Sequence, residues 1–228
     1  MAIDTVFLDA GGVLVFPNWD LVAERLARHG VTTTGAALSA VEWDAKHAVD
    51  TGAAGQLDVV RGWLVFGQVF LRAGVTSESA IDAALDDLQR YHDQYNLWER
   101  VPPDVIPALQ RLKASGRTLV VVSNANGRMR DALDRVGIGP YVDLVIDSTE
   151  EGVEKPDPQI FLNALARSGA RAETTLHVGD LFYTDVVGAR AAGLRAVLLD
   201  MANLYGDFDC ERVRSLGDLA DRLDAEDS

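Results

Sequence analysis

The amino-acid sequence predicts an α/β fold, a parallel sheet with helices between its strands that is interrupted by one long helical insertion. Short apolar runs that end in small or acidic residues recur along the chain, and helical patterns closely follow most of them, which is typical of a parallel sheet. One long stretch after the first run shows helical periodicity and no strand pattern. With 228 residues, the chain is long enough for one to two domains.

The apolar runs are predicted to be the strands of the sheet. They are Thr5 to Asp9, Thr118 to Ser123, Tyr141 to Ile146, Thr175 to Asp180 and, after Gly193, Ala196 to Asp200. Apolar residues at helical spacing predict the helices Val105 to Ser115, Met129 to Val136, Gln159 to Ser168 and Thr184 to Ala192. A glycine follows each helix, at positions 116, 137, 169 and 193, where glycine caps are preferred. This order of elements predicts a Rossmann-like core.

The insertion is predicted to be a separate helical domain. Its helical segments are Trp19 to His29, Ala36 to Val49, Leu57 to Ala73 and Ser77 to Tyr95. The glycine-rich run Thr51 to Gly55 divides them, and Val15 to Asn18 and Asn96 to Pro103 would connect them to the sheet. We therefore expect a core domain of residues 1–16 and 99–228 and a helical domain of residues 17–98.

Composition and charge exclude several classes of protein. The net charge of −14 disfavours nonspecific binding of nucleic acids and of anionic membranes. The single cysteine, Cys210, can form neither an intramolecular disulfide nor a cysteine-based zinc cluster. No basic leader precedes the first apolar run, and no run approaches the roughly 20 apolar residues of a membrane span. We expect a cytoplasmic protein without nucleic-acid or membrane partners, either a monomer or a homodimer.

Candidate functional residues follow the predicted strands, because ligands bind beyond the carboxyl ends of the strands in an open parallel sheet. Carboxylates, a hydroxyl, an amide and an ammonium group at this edge would make an oxygen-rich cation site beside an anion site. Gly11 and Gly12, which follow Asp9, form a turn that lets backbone amides approach an anion. These candidates are Asp9, Gly11, Gly12, Ser123, Asn124, Lys155, Asp180 and Asp185. We interpret Asp147 as a cap and His177 as a satisfied core histidine.

Four segments of the chain resemble, in order, the four motifs of the haloacid dehalogenase-like (HAD) hydrolases. They are Phe7 to Leu14, Val121 to Asn124, Glu154 to Pro156, and Gly179 to Asp185 with Gly188-Ala189. The insertion resembles the helical cap that the superfamily's subfamily IA carries after its first motif. Four ordered motifs are far more specific than any one of them alone.

The resemblance implies a hydrolase in which Asp9 attacks phosphorus and forms an aspartyl-phosphate that water then hydrolyses. It implies Mg²⁺ held by Asp9, Asp180, the backbone carbonyl of Gly11 and, directly or through water, Asp185.

Two further roles follow from the same resemblance. Ser123 would donate a hydrogen bond to the phosphoryl oxygens, and Lys155 would neutralise both Asp9 and the charge that develops on the phosphoryl group.

Gly11 departs from the phosphatase pattern. Phosphatases of this family usually carry a second aspartate there, which protonates the leaving group and then activates water, a role worth about 10² to 10⁴ in rate. Haloacid dehalogenases carry Tyr at this position and phosphonatases carry Ala. The leading hypothesis is a Mg²⁺-dependent phosphatase of small phosphorylated metabolites. The alternatives are a carbon–halogen or carbon–phosphorus hydrolase and a catalytically weak protein that binds a phosphorylated ligand.

In the insertion, Trp43, Lys46 and His47 are predicted to share one helix face. The simpler interpretation is that Trp43 packs while Lys46 and His47 are solvated. The functional interpretation is that this face closes over the substrate, with Lys46 and His47 as substrate-binding residues.

Overall fold

The computed structural model describes residues 2–52 and 58–227, and the chain divides into two units. The first, here called the sheet unit, combines Met1–Phe16 with Val101–Ser228. The second, the helical unit, is Pro17–Arg100. Its helices are α1 (Trp19–Arg28), α2 (Gly35–Ser39), α3 (Glu42–Gly52), α4 (Asp58–Arg72) and α5 (Glu78–Tyr95).

Strands and further helices alternate through the rest of the chain. The strands are β1 (Thr5–Leu8), β2 (Phe16–Pro17), β3 (Trp98–Arg100), β4 (Thr118–Ser123), β5 (Leu144–Asp147), β6 (Thr175–Gly179), β7 (Arg195–Leu199) and β8 (Glu211–Val213). The helices are α6 (Val105–Ala114), α7 (Met129–Arg135), α8 (Ser148–Glu151), α9 (Pro158–Ser168), α10 (Val187–Ala191) and α11 (Leu216–Glu226).

Six of the strands form a parallel sheet in the order β5-β4-β1-β6-β7-β8, so the predicted α/β class with a Rossmann-like core is confirmed. β1 lies between β4 and β6, and its Leu8 is in register with Val121 and Val178. The apolar residues of these strands are buried on both faces, which explains why they form unbroken apolar runs rather than alternating ones.

The sheet unit differs from the sequence prediction at several places, and the short α8 is among the elements that were not predicted. β5 begins at Leu144 because Gly139–Tyr141 forms a 3₁₀ turn with Pro140 inside it. The predicted helix from Thr184 to Ala192 is instead a π-helical turn, Phe182–Val186, followed by the short α10. β8 and α11 were not predicted. β8 extends the sheet at the edge beyond β7, and α11 packs against α6.

The helical unit packs around its own apolar core. This core includes Trp19 and Phe66, whose ring centroids lie 5.1 Å apart, and Trp63 packs against it. The predicted helix from Ala36 to Val49 is wrong, because two helices, α2 and α3, cover this stretch. The Trp19 indole Nε1 donates a buried 2.7 Å hydrogen bond to Glu42 Oε2, which ties the first residue of α3 to α1.

Of the predicted break at Thr51 to Gly55, Thr51 and Gly52 end α3, and the remainder lies outside the described residues. No helix among the described residues has the length and apolar character that a membrane crossing requires.

Candidate active site

Three of the predicted site residues follow neighbouring strands at one edge of the sheet. Asp9 follows β1, Ser123 ends β4 and Asp180 follows β6. The Asp9 backbone N–H donates to the Val178 carbonyl at 2.8 Å, which continues the pairing of β1 with β6 one residue beyond the strand. The parallel order β4-β1-β6 thus places Asp9 between the other two residues, as expected for ligand binding at the carboxyl ends of strands.

Asp9, Asp180 and Asp185 form a cluster of buried carboxylates. One oxygen atom from each carboxylate lies within 4.8 Å of the other two. Asp185 reaches the cluster from the π-helical turn, where the Leu181 N–H donates to its Oδ2 at 3.1 Å. Gly179 makes this approach possible, since a Cβ atom on residue 179 would lie 2.0 Å from Asp185 Cγ. The predicted metal ligands that have side chains are therefore together in space.

Lys155 lies against two of these carboxylates. Its Nζ atom is 2.8 Å from Asp9 Oδ1 and 2.7 Å from Asp185 Oδ1, and the residue is only 2 % exposed. A buried ammonium is stable only with such close partners. The arrangement places one cation between two anionic side chains, one after β1 and one in the π-helical turn.

The main chain of Lys155 is held by Asn124. The Lys155 N–H donates to Asn124 Oδ1 at 2.7 Å, and Asn124 Nδ2 donates to the Lys155 carbonyl at 2.9 Å. Both polar atoms of the Asn124 side chain are therefore used to place Lys155. The side chain of Asn124 thus supports the lysine, and its predicted role in substrate binding stays a prediction.

Asp147 supports the loop that carries Asn124. Its buried carboxylate accepts hydrogen bonds from the N–H groups of Gly127, Met129 and Thr149 at 3.0, 3.3 and 3.0 Å. The bond from Thr149 is the N-cap of α8, which agrees with our interpretation of this residue as a cap. The other two bonds fix the turn before α7, so Asp147 also shapes the site edge.

The electrostatics of the cluster follow from burial and from the single ammonium group. Burial raises the pKa of Asp9 to about 7; the Lys155 charge opposes this rise, and the Asp185 and Asp180 carboxylates add to it. Burial also favours the neutral form of Asp185, but Lys155 and the His177 hydrogen bond outweigh it and hold the pKa of Asp185 well below its usual range.

Lys155 is protonated, because the two carboxylates raise its pKa although burial lowers it. Lys155 contacts both Asp9 and Asp185, yet the pKa of Asp9 is raised while that of Asp185 is lowered. The difference arises because the charges of Asp185 and Asp180 raise the pKa of Asp9, whereas the hydrogen bond from His177 lowers the pKa of Asp185.

The donor set fits a hard divalent cation. If all three carboxylates are ionised, Lys155 neutralises one of their negative charges, and a divalent cation would neutralise the other two. Carboxylate oxygens are the ligands that Mg²⁺ prefers, whereas softer metals prefer thiolates and imidazoles. Asp9, Asp180 and Asp185 would hold such an ion, and the predicted carbonyl of Gly11 lies two residues from Asp9 in the following loop.

The loop after β1 has a fixed backbone. Gly12 has a φ of 83°, a conformation that favours glycine, whereas Gly11 lies outside the left-handed region. The Gly12 N–H donates to the Val15 carbonyl at 2.8 Å. This bond closes the loop, and the predicted role of Gly12 in substrate binding stays a prediction.

His177 is the site contact that the sequence interpretation did not find. It is buried in β6, as expected for a core histidine, and its Nε2 atom lies 3.0 Å from Asp185 Oδ1. The seven residues between His177 and Asp185 cross the end of β6 and the π-helical turn, so no local spacing rule predicted this contact.

Lys46 and His47 lie in α3 of the helical unit, and their role as substrate contacts stays a prediction. The expectation that Lys46 is solvated is wrong, since its side chain is 12 % exposed. Its Nζ atom lies 4.8 Å from the centroid of the Trp43 ring and 3.9 Å from Glu42 Oε1. The aliphatic part of Lys46 is covered because its ammonium interacts with both of these neighbours.

Comparisons with known proteins agree with this geometry. A family model of haloacid dehalogenase-like hydrolases matches residues 3–193. The chain is 32 % identical over 169 residues to the glyceraldehyde 3-phosphate phosphatase of Methanopyrus kandleri, a match that covers 69 % of this chain and 72 % of that protein. It is 39 % identical over 99 residues to the ribulose-1,5-bisphosphate 5-phosphatase of Halopiger xanaduensis, covering 43 % of this chain and 41 % of that protein.

Solved structures share the fold over almost the whole chain. The HAD-hydrolase YfnB from Bacillus subtilis bound to magnesium superposes with a TM-score of 0.69 at 16 % identity, covering 98 % of this chain and 99 % of that chain. The L-2-haloacid dehalogenase RSc1362 superposes with a TM-score of 0.67 at 20 % identity, covering 98 % and 100 %. Hydrolases of different chemistry thus have the same fold, so only the site residues can separate the candidate reactions.

Proposed function

Because the chain belongs to the haloacid dehalogenase-like hydrolase family, we propose that it is a Mg²⁺-dependent phosphatase of small phosphorylated metabolites that works through an aspartyl-phosphate at Asp9. The observation that carries this proposal is the buried cluster of Asp9, Asp180 and Asp185 with Lys155 against it. A carbon–halogen hydrolase of this family needs no metal, so a cluster of carboxylates that suits a divalent cation favours the phosphatase.

The relatives support a small substrate. Two of them are named as phosphatases of glyceraldehyde 3-phosphate and of ribulose 1,5-bisphosphate, both of which are small phosphorylated metabolites. The chain covers less than half of the second relative, so the identity of the substrate is not carried over from it. The charge of −14 and the single cysteine support a cytoplasmic location without nucleic-acid partners.

The proposed reaction begins with attack by an Asp9 carboxylate oxygen on phosphorus. The new bond between oxygen and phosphorus forms as the bond from phosphorus to the substrate oxygen breaks, which leaves an alkoxide or aryloxide. Lys155, 2.8 Å from Asp9 Oδ1, favours the ionised form of the nucleophile and neutralises charge on the transferred group. Water then attacks phosphorus, and inorganic phosphate leaves while the Asp9 carboxylate is regenerated.

Mg²⁺, when bound, supplies the positive charge that lets a dianionic phosphate approach these carboxylates. Ser123, at the end of β4, would donate its hydroxyl to a phosphoryl oxygen. Asn124 and Asp147 hold Lys155 and its neighbouring loop in position, and Asn124 would also contact the substrate.

Residue 11 offers no carboxylic acid that could donate a proton to the leaving group. Gly11 has no side chain, so leaving groups with a low pKa should react much faster than alkoxides. We therefore expect turnover to depend steeply on the leaving group and to be weak for the least activated substrates.

A phosphate-release screen over a panel of small phosphorylated metabolites, with Mg²⁺ and with a chelator, tests this function. Chelation should abolish hydrolysis of a generic aryl phosphate, and added Mg²⁺ should restore it. Full hydrolysis in chelator would contradict the Mg²⁺ dependence. Halide release from 2-haloacids in the same panel, without phosphate release, would contradict the phosphatase proposal and favour carbon–halogen cleavage. Binding of phosphate esters without release would instead indicate a protein that only binds its ligand.

A further inference from the structure

We propose that His177 is a positioning residue that orients the Asp185 carboxylate and thereby sets the affinity of the carboxylate cluster for its divalent cation. This inference rests on the proposed function in one respect, since it takes Asp185 to be a ligand of that cation. It concerns a residue to which the motifs assign no role, because His177 lies inside the buried strand before the fourth motif.

The contact between His177 and Asp185 is specific. His177 is 0 % exposed, and its Nε2 atom lies 3.0 Å from Asp185 Oδ1. An ionised carboxylate only accepts hydrogen bonds, so Nε2 must carry the hydrogen and donate it. The imidazole ring also packs edge to face on Phe161, with centroids 4.8 Å apart. This packing fixes the plane of the ring and therefore the direction of the donated bond.

Three hydrogen-bond donors occupy most of the lone pairs of the Asp185 carboxylate. Oδ1 accepts from Lys155 Nζ at 2.7 Å and from His177 Nε2 at 3.0 Å, which uses both of its lone pairs. Oδ2 accepts from the Leu181 N–H at 3.1 Å, which leaves one lone pair. The free acceptor site of Asp185 is therefore on Oδ2, and the three donors determine where it points.

Among these donors, His177 alone is a side chain committed to Asp185. Lys155 divides its ammonium between Asp185 and Asp9, and its long side chain can follow Asp9 when that residue reacts. The Leu181 N–H contacts the other oxygen and does not fix rotation of the carboxylate plane by itself. His177 is anchored in the central part of the sheet and holds Oδ1 while Lys155 moves.

The test compares Mg²⁺ binding by metal-stripped wild type, His177→Leu and His177→Gln, measured by calorimetry or by the Mg²⁺-dependent shift in melting temperature. Supporting partners of metal ligands typically change affinity by about 10- to 100-fold, so His177→Leu should weaken Mg²⁺ binding by this factor. The Gln side chain places an amide N–H the same number of bonds from the backbone as Nε2, so His177→Gln should recover most of the affinity.

Thr175→Val is the matched control. Thr175 lies two residues earlier on the same face of β6, is fully buried, and donates its hydroxyl to the Arg171 carbonyl at 2.7 Å. Its replacement should lower stability without changing the dissociation constant of Mg²⁺. If His177→Leu does not fold, His177→Asn replaces it, since the shorter amide cannot reach Asp185 and should bind Mg²⁺ more weakly than His177→Gln.

The outcomes separate this proposal from the proposed function. Wild type that binds Mg²⁺, together with a folded His177→Leu that binds it equally well, would overturn the role of His177 and leave the phosphatase proposal intact. Equal loss in His177→Leu and His177→Gln would also overturn it, because the loss would then reflect packing alone. Wild type that binds Mg²⁺ and releases no phosphate would overturn the phosphatase proposal alone, and wild type without Mg²⁺ affinity would overturn both.

Discussion

The sheet unit and the helical unit bury charged groups in different ways. At the carboxyl ends of the strands, Lys155 Nζ lies 2.8 Å from Asp9 Oδ1 and 2.7 Å from Asp185 Oδ1, within the cluster of buried carboxylates. In the helical unit, the buried carboxylate of Glu42 accepts a 2.7 Å hydrogen bond from a tryptophan, while Lys46 lies 3.9 Å from its second oxygen. The first arrangement keeps excess negative charge that a ligand must relieve, whereas the second mainly joins two helices.

Because of this difference, we expect substitutions in the two regions to have opposite effects on activity and stability. Groups that are buried with unrelieved like charge lower the stability of the fold, so such groups are typical of functional sites. Substitutions at the strand ends should therefore change activity strongly and stability little, or even raise stability. Substitutions at Glu42 should lower stability and leave the chemical step unchanged.

The largest expected effect is that of Asp9→Asn. The amide has nearly the same shape as the carboxylate but is a poor nucleophile, so turnover should fall by about 10⁴-fold or more, the scale lost when an enzyme loses its nucleophile. The metal-free variant should be at least as stable as wild type, since the buried charge is removed. Phosphate release and circular dichroism measure the two quantities, and retained wild-type turnover would place the nucleophile elsewhere.

The second effect concerns Gly11→Asp, which adds the missing carboxylate to the strand-end region. Gly11 lies outside the left-handed region, so its backbone conformation does not require glycine. The substitution should flatten the dependence of rate on leaving-group pKa and speed alkyl phosphates by up to about 10² to 10⁴. Misplacement by about 1 Å would cost some 10² of this gain.

Gly11→Asn is the matched control for Gly11→Asp, because it has the same shape without the acid. It should leave the steep dependence on leaving-group pKa unchanged. An equal slope in wild type and in folded, metal-bound Gly11→Asp would contradict the idea, and it would indicate that another group, such as His47 or the substrate itself, already supplies the proton.

The third prediction is that stability and Mg²⁺ affinity depend on pH because of the carboxylate cluster at the strand ends. The pKa of Asp9 is raised to about 7 in the folded protein, so the folded state binds more protons than the unfolded state between about pH 4 and 7. The stability of the metal-free protein should therefore fall as pH rises through this interval. Mg²⁺ binding must displace this proton, so its apparent affinity should rise by up to about tenfold per pH unit and level off above pH 7.

Asp9→Asn provides the control for this pH dependence, since it has no proton to lose at residue 9. Melting temperatures with and without Mg²⁺ between pH 5 and 8 measure both trends. A metal-free wild type whose stability does not fall over this range, or falls equally in Asp9→Asn, would show that the carboxylate of Asp9 is not the group responsible.

The smallest effect is expected in the helical unit. Glu42→Ala leaves the buried indole N–H of Trp19 without its acceptor, which should lower the free energy of unfolding by about 1 to 3 kcal/mol. Glu42→Gln keeps an acceptor and should cost less. Denaturant unfolding measures these changes, and kcat should stay near the wild-type value. A large loss of kcat without loss of stability would show that the two regions do not differ in the way described.

Local patterns predicted much of the fold. The glycines at positions 116, 137, 169 and 193 all have φ between 70° and 84°, as the predicted helix caps require. The strand ends were also located to within one residue for β1, β4, β6 and β7, because unbroken apolar runs mark strands that are buried on both faces. These features depend on the residues within each segment.

The features that were not predicted depend on contacts between segments. The split between α2 and α3 reflects a hydrogen bond from Trp19 to Glu42, 23 residues away. The side chain of Asn124 is turned to Lys155, 31 residues later, and the π-helical turn brings Asp185 back to His177. Periodicity and spacing within a short window contain no information about such partners.

The most direct test of the account is to look for the covalent intermediate on Asp9. Wild type should be mixed with an aryl phosphate and Mg²⁺, quenched in acid during turnover and analysed by mass spectrometry after proteolysis. The account predicts one phosphoryl group on the peptide that contains Asp9, absent with chelator and absent in Asp9→Asn. Turnover that proceeds with no phosphoryl group at Asp9, under conditions that trap other acyl phosphates, would contradict it.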